Sequence, residues 1–159
     1  MKKHRTPAST HAQRGVYAIE FAFVFLMAFT LLYAVICYGL LLTLRMGLQN
    51  AAEDGARAAL RYQLSLDRRG TEAVDVAELR TNWLPDTLKQ SRSVIATVCT
   101  VEGSNCTAPA CGMEWGNRCQ MVVTVTVGNM RQVLPPLPSF AIPDQIAGKA
   151  SMLLDGRSL

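Results

Sequence analysis

Four cysteines, one carboxylate inside an apolar run and a near-absence of histidine bound the chemistry open to this chain. Cys99, Cys106, Cys111 and Cys119 lie within a short stretch, with six, four and seven residues between successive members. No C-x2-C knuckle occurs, and the two histidines, His4 and His11, are both near the N-terminus. The spacing therefore disfavours a metal site and favours two disulfides, with three possible connectivities. The fifth cysteine, Cys37, sits in an apolar segment and reads as a small apolar residue. Without histidine beyond residue 11, Ser/His and Cys/His nucleophile pairs are absent, and so is any His-based metal catalyst. No P-loop, dinucleotide fingerprint or haem-attachment motif is present. Glu102 and Glu114 fall in the cysteine-rich loop with no sign of a partner for acid–base work. The expectation is a non-enzymatic protein with no cofactor and no catalytic or metal site.

The elements that carry these residues follow from charge and hydropathy. From Phe21 to Leu44 no charged side chain occurs. A helix of that length spans about 36 Å, more than a hydrocarbon core of about 30 Å. A removable signal has a shorter apolar region and a small-residue exit site, and neither is seen here. The 159 residues have a formal charge of +4, which by itself would invite a nucleic-acid partner. Of the 16 Lys and Arg, however, Lys2, Lys3, Arg5 and Arg14 lie before the span with no acidic neighbour. The other 12 are balanced by the 12 Asp and Glu. The excess is a basic leader, not a nucleic-acid surface. Only Arg45 and Arg57 closely follow the span, so the positive-inside rule puts the N-terminus in the cytoplasm. The chain divides into a leader over 1–15, a transmembrane helix over 16–44 and an exported domain over 45–159.

Glu20, one turn into the apolar helix, is costly there unless it reaches water or a positive partner. The run Arg14-Gly15-Val16-Tyr17-Ala18-Ile19-Glu20-Phe21 resembles the type IV prepilin pattern: basic leader, Gly, four apolar residues, Glu and an aromatic. The resemblance implies cleavage by a prepilin peptidase between Gly15 and Val16. Cleavage frees an ammonium at Val16, about 6 Å along the helix from Glu20. In a bundle of parallel subunits, Glu20 of one copy would pair with the Val16 ammonium of the next and set the stagger. Glu20 and Phe21 are thus the candidate assembly residues. A second block, Leu48-Gln49-Asn50-Ala51-Ala52-Glu53-Asp54-Gly55-Ala56-Arg57-Ala58-Ala59, resembles the TadE-like family when taken with the GVYAIEFAFV start. That family consists of minor pseudopilins of tight-adherence (Flp-type) pilus systems. It implies a single-pass protein of the bacterial inner membrane, needed for pilus assembly, with pilin-like subunits, the assembly machinery and lipid as partners. The rival is an uncleaved anchor presenting a disulfide-stapled, adhesin-like domain outside the membrane.

The fold class expected is α+β: a transmembrane helix extended as a pilin-like stem on a small antiparallel sheet of about three strands. Leu48, Ala51, Ala52, Gly55, Ala58, Ala59 and Tyr62 share one helical face, so the stem should run to about Leu64. Glu53, Asp54, Arg57 and Arg61 take the opposite face. Asp67-Arg68-Arg69-Gly70 reads as a turn, with Thr71 capping a second helix that Pro85 stops near Leu84. Trp83 reads as a packing residue. Strands are expected over 93–101, 121–127 and 146–154. An antiparallel pairing of the first two suggests Cys99–Cys119 with Cys106–Cys111, while Cys99–Cys106 with Cys111–Cys119 stays open. The prolines of VLPPLPSFAIPD exclude regular structure there.

Overall fold

The computed structural model describes residues 14–61, 65–102, 106, 109, 111–132 and 142–154. The leader up to residue 13, Tyr62, Leu64 and most of the proline-rich segment lie outside the described residues. Two compact units divide at Gly39.

In the first unit the described chain is helical from Arg14 onward, the start of α1 (Arg14–Ala58). Its large apolar side chains, from Val16 and Tyr17 through Val35 and Ile36, are exposed. Water does not tolerate such a surface, whereas a bilayer covers it. The aliphatic hydroxyl in this stretch is satisfied internally: Thr30 Oγ1 donates to the Leu26 carbonyl at 2.9 Å and lies 3.0 Å from that of Met27. That is the requirement a lipid environment imposes on polar groups. Phe21, Phe25, Phe29 and Tyr33, each one turn apart, stack with ring centroids 6.0–6.3 Å apart.

The second unit begins at Leu40 and holds the core. Here α1 behaves as its pattern predicts. Leu48, Ala51, Ala52, Gly55, Ala56, Ala58 and Ala59 are buried, and Arg57 faces Glu53 and Asp54 at 3.9 and 4.0 Å on the outer side. These exposed pairs add little stability. The helix stops at Ala58, short of the expected Leu64, and Leu60 and Arg61 close a tighter turn onto the Arg57 and Ala58 carbonyls.

That early stop lets α2 (Leu66–Arg80) run back along the stem. Arg61 meets Glu72 at 3.6 Å near the turn, and Asp54 meets Arg80 at 3.0 Å further down. The expected turn at Asp67–Gly70 is helical instead. Ser65 caps the helix, its Oγ accepting from the Arg68 N–H at 3.3 Å, and Thr71 lies inside it. Gly70 lies inside the helix, with open space where a Cβ would project. Ala73 and Ala77 decide the matter. They pack on Gly55, where a Cβ would sit 2.7 Å from the Ala73 oxygen and 2.9 Å from the Ala77 Cβ. The helix ends at Arg80 and not near Leu84, and Pro85 caps the short α3 (Asp86–Lys89).

The sheet is β1 (Arg92–Thr100), β2 (Cys119–Val127) and β3 (Ile146–Leu153), antiparallel in the order β1-β2-β3. Val123, Val125 and Val127 of central β2 are fully buried, with Thr124 and Thr126 half-buried between them. The alternation read in the sequence thus separates the core face from the outer one. Arg92 ties α2 to the sheet. Its guanidinium donates to the Glu78 carbonyl at 3.1 Å and to the buried Thr81 hydroxyl at 2.8 Å, and pairs with the Glu78 carboxylate at 3.4 Å. The fold is α+β, with a three-stranded antiparallel sheet and one helix long and apolar enough to cross a membrane.

Candidate functional site

The prepilin-like junction occupies the first turns of α1. The Gly15–Val16 bond lies in the helical backbone of α1. Val16, Tyr17, Ile19, Glu20 and Phe21 are all exposed. Glu20 has no hydrogen-bond or ion-pair partner among the described residues, so its carboxylate is open to a group from another chain. Phe21, directly after it, heads the aromatic stack through Phe25. The site therefore presents a bare carboxylate at one end of an apolar, aromatic helix surface.

The cysteine loop is closed by two local bridges, Cys99–Cys106 and Cys111–Cys119. The pairing favoured by hairpin geometry, Cys99 with Cys119, does not form, and the register explains why. Cys99 lies opposite Gln120, and Cys119 opposite Thr100. Successive positions on a strand face opposite sides of the sheet. Cys119 points into the core and is buried, so a bond to Cys99 would have to pass through the sheet. Each cysteine instead reaches into the loop on its own side. The Glu102 carboxylate packs against Gly116, and Glu114 precedes the short 3-10 turn Trp115–Asn117. Among the described residues, three or more His, Cys, Asp or Glu side chains do not gather there.

Three relationships were not legible as site features in the sequence. One is the Arg92–Thr81–Glu78 junction. A second is the clasp of Gln49 on Lys149 of β3. The third is Trp83, which is only half-buried and lies with its benzo ring over Gly47 of the stem. A lone tryptophan in a turn and a glycine in a helix carry no local signal that they will meet.

No curated protein and no solved structure matches the chain. One family model does, and it spans both the prepilin-like junction and the small-residue stem. Residues 15–57 are similar to the family model described as TadE-like protein.

Proposed function

We propose that this protein is a non-enzymatic, pseudopilin-like subunit required to assemble a tight-adherence (Flp-type, type IV-like) pilus. The observation that carries the reading is the TadE-like match from Gly15 to Arg57. It covers the stretch in which one unpartnered carboxylate, Glu20, stands at the head of an exposed apolar helix. In this reading the basic leader holds the N-terminus in the cytoplasm, α1 crosses the inner membrane once, and residues 45–159 stand outside it. Prepilin peptidase cuts after Gly15. The new Val16 ammonium of one subunit pairs with Glu20 of its neighbour, which relieves the cost of a carboxylate in lipid. The stacked aromatic surface beginning at Phe21 packs between pilin-like subunits.

N-terminal sequencing of the full-length protein extracted from membranes tests the reading. The expected mature chain begins at Val16 in cells with active prepilin peptidase and keeps its leader when Gly15 is replaced by a bulky residue. An intact leader in peptidase-positive cells would show that the protein is an uncleaved anchor.

A further inference from the structure

The two edges of the sheet are treated differently: the Gln49 amide clasps β3, while β1 carries no such device among the described residues. The ladder shows which backbone groups of β1 are left over. The Val101 N–H donates to the Arg118 carbonyl at 2.9 Å, and the Gly128 N–H to the Ser91 carbonyl at 3.4 Å. These contacts flank an unbroken register, so the odd positions of β1 exchange hydrogen bonds with β2. The pairs between them point their N–H and C=O groups the other way. Val94, Ala96 and Val98 therefore aim their backbone donors and acceptors outward, without a partner among the described residues. Sheets usually guard an open edge with lysine, proline or a bulge, and Ser93–Thr100 has none of the three.

Beside this edge the helix and the strand part. Arg92 holds β1 to α2 at Glu78, but toward Leu66 a cavity of about 610 Å3 opens between them. Leu66, Thr71 and Val74 line it from α2, and Ala96, Val98 and Met121 from the sheet. Val94, Ala96 and Val98 turn their side chains to the core and are only partly buried there. A strand added to β1 sends alternate side chains to that same face, and so into the cavity. Asp67 is the one charged residue lining the cavity among the described residues, and its carboxylate forms no ion pair with any of them. An open ladder is matched by another backbone, an apolar cavity by alternate apolar side chains, and a lone carboxylate by a basic group. We propose that the free edge of β1 binds an extended strand of a partner protein, with apolar residues at alternate positions and a lysine or arginine for Asp67. The inference depends neither on α1 crossing a membrane nor on leader cleavage.

The test uses the full chain, isotope-labelled in detergent micelles, and a blocked peptide of about eight residues that alternates valine and threonine, with lysine in place of one central valine. N-methylation at its threonines leaves the peptide a single pairing edge, on the side of the valines and the lysine, and keeps it from stacking on itself. At saturation it should slow amide hydrogen exchange at Val94, Ala96 and Val98 by at least about tenfold. The same peptide N-methylated at every residue should leave those amides unchanged. Glutamate in place of the lysine should weaken binding about two- to fivefold, and Asp67→Asn should abolish that difference. No protection by the first peptide, or equal protection by the fully methylated one, overturns strand addition. A preference for lysine that survives Asp67→Asn overturns the role of Asp67. Slow exchange at the three amides without peptide overturns the partner strand. It assigns the edge to a second copy if it grows with protein concentration, and to another segment of this chain if it does not.

Discussion

The side-chain amide of Gln49 pairs with both backbone groups of Lys149, a residue 100 positions away. Its Nε2 donates to the Lys149 carbonyl at 2.9 Å, and the Lys149 N–H donates to its Oε1 at 3.1 Å. Lys149 of β3 lies opposite Thr124 of β2, and among the described residues β3 pairs with β2 alone. The amide therefore stands in for one residue of a missing fourth strand. It joins the stem to the sheet and blunts an edge that would otherwise invite another strand.

Gln49→Ala should lower the stability of the detergent-solubilised protein by about 1 kcal/mol, since water can replace a partly exposed pair. Thermal unfolding followed by circular dichroism measures it. An unchanged midpoint would mean that the clasp is not formed in solution.

Gly148 sits directly on the stem backbone, where a Cβ would overlap Leu48 and Gln49. Backbone cannot swing aside as a side chain does. Gly148→Val is expected to cost about 3 kcal/mol or more, at the upper end of overpacking effects. Gly70→Val, at an uncrowded helical position, should leave stability unchanged or raise it by a few tenths of a kcal/mol, about the difference in helix propensity. Equal losses at the two sites would contradict the close approach of β3 to α1.

Digestion at both arginine and glutamate, without reduction, separates the disulfide connectivities. Cuts at Arg92, Glu102, Glu114, Arg118 and Arg131 isolate Cys99 and Cys119 on separate peptides, with Cys106 and Cys111 together on a third. The observed bridges hold all three peptides in one species. Cys99–Cys119 with Cys106–Cys111 would instead yield a linked pair and an internally bridged peptide. Fragmentation between Cys106 and Cys111 then tells the observed pairing from the remaining crossed one. Each bridge closes a loop of seven or eight residues, so removing either pair should cost about 2.5 kcal/mol by loop entropy. Loss of the Cys111–Cys119 bridge should cost more, because Cys119 is also packed in the core.

Glu20→Leu should insert into the membrane as well as the parent, since it removes a charge from the apolar helix. Pilus yield should fall at least about tenfold, because deleting one partner of a buried ion pair costs about 3–5 kcal/mol. Unchanged piliation at equal protein level would remove Glu20 from assembly.

The features readable beforehand were those with a local period or a local composition. The buried face of α1 from Leu48 to Ala59 follows directly from its helical spacing, and the valines of β2 from their alternation. The stretch Asp67–Gly70 misled because its residues favour a turn when taken alone. The helix there is imposed from outside, by Ala73 and Ala77 closing on Gly55 and by Ser65 supplying a cap six residues before Thr71.

Sequence by itself determined what must leave water and what can be oxidised: the charge-free run from Phe21 to Leu44, the small-residue stem and four clustered cysteines. Tertiary structure decided which of these meet. It chose the cysteine partners through a strand register that puts Cys99 and Cys119 on opposite faces. It brought Trp83 to Gly47 by turning the chain back after Ala58, and joined Gln49 to Lys149. Hydrophobic period is a property of neighbours along the chain, whereas register and helix return are set by contacts between residues far apart in it.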